Sequence, residues 1–334
     1  MATRVVNELG LDVGHGYVKV CHRGGSGELV MRAFRSVALP RNETGIASAM
    51  RGACMSSSLV TVEVDGVTFE IDVSEEAIVT RRISEWNEDN GFPLRPEYRA
   101  LARAALASTG FGHVGVLVVG LPVHTFQRYQ AELENQLGGL IKWDGGQLTV
   151  GEVRAIPQPV GCALTLHGEE EGRLGKALVA LIDVGQFTTD FLVARGLTID
   201  FDRSGGRPGG ASHIYRAVAD GISAELGVRF DHLDRIELAL RTGEPLLAFG
   251  KELDIKPHLE RANQAALETV RAIQAKLGST EDLTFVLSGG GGPLYLDALK
   301  QVFPRNRIVE LGDARFRNVA GFLLYGERLR GARG

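Results

Sequence analysis

"LGLDVGHGYVKV", Leu9–Val20, and "ALIDVGQFTTDFLV", Ala180–Val193, are built to one plan. Each runs an apolar strand into Asp-Val-Gly, turns, and leaves on a second strand. The acidic residue stands two positions before a glycine: Asp12 before Gly14, and Asp183 before Gly185. Glycine lets the turn take up φ > 0 and leaves its backbone N–H groups uncovered. Such N–H groups converge on anions. A carboxylate beside them repels a phosphate unless a divalent cation lies between. Mg²⁺ suits that place, because it keeps several waters and takes one or two carboxylates plus phosphate oxygens. Two hairpins facing one another would grip a polyphosphate–Mg²⁺ from both sides. The doubling is therefore what a nucleotide clamp between two similar domains requires.

The rest of the chain is consistent with that plan. Its 334 residues are enough for two domains or one large one, and 44% hydrophobic with 23% charged is an ordinary globular composition. A net charge of −4 implies no general attraction to nucleic acid or to an anionic membrane. Cys21, Cys54 and Cys162 form no CxxC pair, so neither a disulfide framework nor a zinc site is expected. The first residues lack the apolar core of a signal peptide, and no apolar run reaches the length needed to cross a bilayer. A reduced, cytoplasmic protein is the expectation.

Along the chain, strands and helices alternate, which predicts an α/β fold with mostly parallel sheets. "LVTVEVDGVTFEIDV" alternates about Asp65-Gly66 and reads as a hairpin. "PEYRALARAALASTG" reads as a helix opened by Pro96 and closed by Gly110. "VGVLVVGLP" is the continuous apolar run of a buried strand. "VLSGGGGPLYLDAL" places four glycines, Gly289–Gly292, between a strand and a helix, where backbone passes closely over a flat ring or a phosphate. It fits neither GxGxxG nor GxxxxGK[ST], which argues against Rossmann and P-loop sites. "EEE" at Glu169–Glu171 reads as a solvated helix end, and Trp86 and Trp143 as single aromatics without a base-stacking pattern.

"LDVGHGYVKV", "IDVGQFTTDFLV" and "LSGGGGPLYLDAL" resemble, in order, the two phosphate motifs and the adenosine motif of the actin, sugar-kinase and heat-shock-chaperone ATPase superfamily. "IPQPVGCALTL" and "RFRNVAGFLLYG" resemble its two connecting helices. "FRSVALP" and "VVGLPVHTFQRYQAELENQLGG" are similar to segments of ParM/StbA-type plasmid-segregation actins and archaeal actin-like relatives. The match in order covers residues 9 to about 326. The resemblance implies an actin-like, duplicated ribonuclease H-like fold of two domains around a nucleotide cleft. It places the first domain at 1–157 with a C-terminal return at 312–334 and a small subdomain at about 35–95. The second domain is then 158–311.

It also implies roles. Asp12 and Asp183 hold Mg²⁺, and Gln158 orients the attacking water. Gly14, His15, Gly16 and Tyr17 wrap the phosphates from one side, with Lys19 as a point charge. Gly185, Gln186, Phe187 and Thr188 wrap them from the other. Gly209 and Gly210 open a helix toward ribose or phosphate. Gly289, Gly290 and Gly291 pass under the adenosine, with Arg317 and Asn318 near the base. Glu237 and Arg241 read as a solvated i, i+4 pair, with a ribose contact as the alternative. His15, Tyr17, Gln186 and Phe187 depart from the small residues common in these turns, which bears on nucleotide preference and hydrolysis rate.

The expected activity is a filament-forming ATPase that works through self-association and a DNA-bound adaptor, with Mg²⁺ and ATP, or GTP, as its cofactors. No direct nucleic-acid or membrane contact is expected. The alternatives are a kinase or phosphotransferase, and a regulatory ATPase that does not polymerise. A kinase requires a further substrate carboxylate to deprotonate a hydroxyl, and no segment supplies one.

Overall fold

The computed structural model describes residues 4–41, 58–74, 91–169, 174 and 177–332. Cys54, Trp86, Glu170, Glu171 and much of the expected small subdomain lie outside them. The described chain forms two compact units. The first takes in residues up to 78, 89–168 and 316–334, and the second takes in 169–315. The changeovers fall at 168/169 and 315/316, where the sequence reading put them at 157/158 and 311/312.

The first unit is built on a six-stranded sheet in the order β3-β2-β1-β7-β9-β8. Its strands are β1 (Val5–Val13), β2 (Tyr17–Arg23), β3 (Leu29–Arg35), β7 (His113–Leu121), β8 (Gly139–Trp143) and β9 (Gly146–Pro157). β4 (Leu39–Pro40), β5 (Leu59–Val64) and β6 (Val67–Asp72) form a separate small sheet. Asp65 and Gly66 at its turn both have positive φ, as an Asp-Gly hairpin demands. Helix α1 (Pro96–Ser108) buries Tyr98, Leu101, Ala102, Ala105 and Leu106, and it packs on β1, β2 and β5. Helix α2 (Val123–Leu137) packs on β9, and α3 (Gln158–Glu169) follows that strand without a break.

The second unit repeats the pattern with five strands in the order β12-β11-β10-β15-β16. They are β10 (Leu178–Val184), β11 (Thr188–Arg195), β12 (Thr198–Pro208), β15 (Leu283–Ser288) and β16 (Ile308–Glu310). Helices α4 (Ala211–Leu226) and α6 (Lys256–Leu277) pack together. Between them lie α5 (Leu233–Thr242) and a short hairpin, β13 (Leu246–Ala248) with β14 (Lys251–Leu253). Helices α7 (Leu296–Val302) and α8 (Arg317–Gly331) complete the chain, with α8 on the first unit.

The duplication is thus structural as well as sequential. In each unit three strands joined by tight turns run antiparallel, and parallel strands then add to the first of the three. Both sheets are accordingly mixed, which corrects the expectation of mostly parallel ones. A short turn can only return the chain antiparallel, whereas a parallel neighbour needs a crossover. The central strands β7 and β10 are apolar almost throughout because helices or loops cover both of their faces. Two hairpins went unread: β8–β9, turning on Asp144-Gly145, and β13–β14, turning on Phe249-Gly250. Three-residue β13 and β14 are too short for a period of two to register.

In the first unit α3 and α8 cross in close contact. A Cβ on Gly321 would come 1.7 Å from the carbonyl oxygen of Gly161. Only glycine permits that approach, and it fixes the start of α3, where Gln158 stands.

Candidate functional site: two acidic hairpins

In the first unit the turn Gly14-His15-Gly16 joins β1 to β2, and Gly14 N–H donates to Tyr17 O at 3.0 Å. Ser36, from the end of β3, fixes the turn from behind. Its N–H donates to Gly16 O at 3.1 Å and its hydroxyl to Gly14 O at 2.5 Å. These carbonyl oxygens are thereby drawn away from an anion approaching the turn.

Asp12 is 2% exposed at the end of β1. Its Oδ2 accepts from Lys19 Nζ at 2.8 Å, and its Oδ1 from Gln158 Nε2 at 2.9 Å. Lys19 stands opposite Asp12 in the β1–β2 register, which brings the charges together. Gln158 is the first residue of α3. Because an ionised carboxylate only accepts, the amide nitrogen must face Asp12, leaving Oε1 as an acceptor. The His15 ring stacks on Phe92 with centroids 4.4 Å apart, and Phe92 meets Tyr98 edge-on at 5.4 Å.

In the second unit Gly185 N–H donates to Thr188 O at 2.9 Å, closing a turn of the same form. The carbonyls of Gly185, Gln186 and Phe187 all accept from backbone N–H groups at the entry to α4. Ala211 N–H donates to Gly185 O at 3.0 Å and Ser212 N–H to Gln186 O at 2.8 Å. Phe187 O takes both Gly209 and Gly210 N–H. The amides of Gly209 and Gly210 therefore brace the second turn. Thr189 Oγ1 donates to Gly209 O at 2.6 Å, and the buried Tyr295 hydroxyl reaches the same oxygen at 2.9 Å.

The Gly-rich turn is stitched to the end of β10, with Gly291 N–H on Val184 O at 3.0 Å. Gly289 has φ +82, and a Cβ there would meet Val184 O at 2.4 Å and Asp183 Oδ1 at 2.6 Å. Backbone thus passes directly over the acidic strand end, which no other residue would allow. Asp183 is 6% exposed and pairs in register with Asp190, which is 2% exposed. Thr188 Oγ1 donates to Asp190 Oδ2 at 3.4 Å.

The structure therefore gathers Asp12, Gly14, His15, Gly16, Tyr17, Lys19 and Gln158 in the first unit. In the second it gathers Asp183, Gly185, Gln186, Phe187, Thr188, Gly209, Gly210, Gly289, Gly290 and Gly291. Arg317 and Asn318 open α8 in the first unit, with the backbone of Asn318 against Gly161. Gly289–Gly291 belong to the second unit. Glu237 and Arg241 form their i, i+4 pair at 3.2 Å, but Glu237 is 5% exposed, so the pair is half-buried rather than solvated. Ser36, Tyr98, Asp190 and Tyr295 were not foreseen. Asp190 alone had a legible signal, since it stands seven residues after Asp183, as Lys19 does after Asp12.

Among the described residues no three His, Cys, Asp or Glu side chains cluster as a metal cage. A divalent ion at these hairpins would take one or two carboxylates and complete its shell with water and phosphate, which is how Mg²⁺ is ordinarily held. The buried carboxylates at both strand ends fit that donor set. Cys21 and Cys162 are buried and form no disulfide, and burial pushes the Cys21 thiol up to about 12. No helix among the described residues is long and apolar enough to cross a membrane.

Two ribonuclease H-like units, each with an acidic hairpin at the end of its first strand, define the actin-like class of fold. Comparison with known proteins agrees. The family of actin-like proteins' N-terminal domains matches residues 10–161, and the C-terminal domain of archaeal MreB-like actin homologues matches 181–301. The chain belongs to the actin-like proteins. No curated protein sequence matches it significantly.

Among solved structures, the archaeal actin homologue Ta0583 superposes with a TM-score of 0.73 at 22% identity, covering 96% of this chain and 99% of that one. Its complex with ADP gives 0.71 at 22% identity, covering 96% and 99%. The protomer of a 15-stranded ParM filament from Clostridium botulinum gives 0.73 at 18% identity, covering 98% and 100%.

Proposed function

We propose that this chain is a filament-forming actin-like ATPase, in which residues of both hairpins engage one nucleotide with Mg²⁺ and hydrolysis loosens the polymer. The observation that carries the reading is the Gln158–Asp12 contact. A buried carboxylate orients a glutamine amide whose remaining oxygen can hold a water in line with a phosphorus. Phosphoryl transfer asks little more of a protein than positioning and charge neutralisation. Mg²⁺, held by Asp12 and Asp183 through water, would supply the neutralisation. Lys19 adds a positive charge beside the first turn, and the glycines at 14, 16, 185 and 289–291 let backbone approach the ligand. ATP is the expected nucleotide, with GTP as the competing substrate. The ADP complex of Ta0583 supports nucleotide binding, and the ParM filament supports self-association.

In this reading a triphosphate spans groups from both hairpins and a diphosphate spans fewer. That gives the differential affinity a nucleotide needs to shift an assembly equilibrium. The polymer contact is head-to-tail and does not close. A cytoplasmic role in plasmid segregation, through a DNA-bound adaptor, fits a chain of net charge −4.

Two measurements test the proposal. Light scattering and pelleting should show polymer above a critical concentration with Mg²⁺-ATP or Mg²⁺-GTP, and less with the diphosphate. Gln158→Ala should lower phosphate release about ten-fold, equivalent to about 1.4 kcal/mol, with nucleotide affinity little changed. A chain that stays monomeric with every nucleotide overturns the filament reading. An unchanged hydrolysis rate in Gln158→Ala overturns the role of Gln158.

A further inference from the structure

Tyr295 is 0% exposed and ends the single turn of 3₁₀ helix, Gly292–Tyr295, that follows the Gly-rich segment. That turn packs on β10, β15, α4 and α6 at once. The phenol hydroxyl lies 2.9 Å from Gly209 O and 3.2 Å from Gly210 O, and shares its one proton between them. Neither carbonyl depends on it. Gly209 O also accepts from Thr189 Oγ1 at 2.6 Å, and Gly210 O from His213 N–H at 3.1 Å. The tyrosine therefore adds position rather than satisfying an orphaned group. Position matters at this peptide: Gly209 has φ +114, and a Cβ there would lie 2.5 Å from Thr269 Oγ1. Glycine has more conformations open to it than any other residue, so holding it in this one needs fixed donors.

Two attachments thus run from the Gly-rich segment into the second hairpin. Gly291 N–H donates to Val184 O at the end of β10, beside Asp183, and Tyr295 holds the peptides of Gly209 and Gly210. Those two residues donate in turn to Phe187 O in the hairpin's turn. We propose that Tyr295 is a positioning residue that couples the two ends of the nucleotide site. A nucleoside seated on Gly289–Gly291 fixes, through the Tyr295 hydroxyl and Gly209–Gly210, the turn Gly185–Thr188 in the form that takes phosphate. Coupling of this kind is reciprocal, so phosphate tightens the nucleoside by the same factor. The coupling rests on the nucleotide reading above; the link between Tyr295 and the turn does not.

Tyr295→Phe keeps the ring and leaves each carbonyl with a donor, so the fold should survive. The test is calorimetric titration of Mg²⁺-tripolyphosphate with and without saturating adenosine, or guanosine if GTP is the nucleotide bound. In the unsubstituted chain the nucleoside should raise tripolyphosphate affinity about five-fold or more, the low end of ordinary coupling between sites. In Tyr295→Phe that factor should fall below about two-fold. A merely structural tyrosine would alter stability and leave the factor as it was. An equal factor in the two proteins, or none in the unsubstituted chain, overturns the proposal.

A second measurement needs no ligand. In native-state hydrogen exchange, the amides of Gly209, Gly210, Ala211 and Ser212 should exchange about five-fold faster in Tyr295→Phe, as loss of one hydrogen bond implies. Those of β15 should be unchanged. Unchanged exchange at the four amides, or faster exchange spread evenly over the second unit, overturns the link. Failure of the unsubstituted chain to bind Mg²⁺-ATP or Mg²⁺-GTP would instead strike the nucleotide reading and leave the exchange result to decide on Tyr295.

Discussion

Seven residues after its acidic strand end, the first hairpin carries Lys19 and the second carries Asp190. The backbones match: both close with an N–H of the glycine donated three residues on, and both hide turn carbonyls against a following element. The electrostatics do not match. Asp12 is neutralised within its own hairpin by Lys19 at 2.8 Å and held by Gln158 at 2.9 Å. Asp183 has another carboxylate directly opposite it in the ladder, with both acids buried. Like charges opposed across a sheet are unfavourable, and a divalent cation is the simplest agent that would reverse this. On the proposed reading, the first hairpin orients water through Gln158 and the second, with its two opposed carboxylates, is the stronger draw for a cation.

The largest expected effect of breaking this asymmetry is on Lys19. Lys19→Met leaves a buried carboxylate without its cation. Losing one partner of a fully buried pair costs about 3–5 kcal/mol. Lys19 retains 15% exposure and Gln158 still donates, so about 2–3 kcal/mol is expected by denaturant unfolding. Lys19→Met with Asp12→Asn should recover most of that loss; failure to recover it would show that Lys19 acts by packing alone.

The opposite sign is expected in the second hairpin. Asp190→Asn removes one of two opposed charges and should stabilise the metal-free protein by about 0.5–1 kcal/mol, while weakening its response to Mg²⁺. A destabilised Asp190→Asn variant would mean that the two hairpins are not electrostatic opposites.

The smallest effect concerns Glu8, on the same strand as Asp12. Burial raises the pKa of its carboxyl above the usual carboxylate value, against the lowering effect of Arg330 at 2.7 Å. Its contribution to stability is therefore full below the unfolded value of about 4.3 and is lost as pH rises through the raised folded value. Glu8→Gln cannot ionise, so it should lose less stability between pH 4 and pH 7 than the unsubstituted protein. Arg330 is 58% exposed, and an exposed partner of this kind is worth about 0–1 kcal/mol. Parallel stability curves for the two proteins would contradict the assignment.

The hairpins and the Gly-rich turn were legible because their constraints are local. A turn needs glycine where φ is positive, and a buried strand needs an unbroken apolar run. The residues that complete the site were not legible, because they act across distance. Ser36 holds Gly14 from 22 positions away, and Tyr295 reaches Gly209 from 86. Nothing in "FRSVALP" or "GGPLYL" distinguishes a hydroxyl that braces a turn from one that faces water. Gln158 follows β9 directly, with no loop between strand and helix, and opens α3.

The central claim is that two unlike hairpins serve one nucleotide. Calorimetric titration with Mg²⁺-ATP, using the unsubstituted chain, Asp12→Ala and Asp183→Ala, tests it most directly. The account predicts one nucleotide per chain, and an affinity reduced about 100-fold or more, equivalent to about 2.7 kcal/mol or more, in each variant, with both remaining folded by circular dichroism. Wild-type affinity in either folded variant would show that one hairpin binds alone and would contradict it.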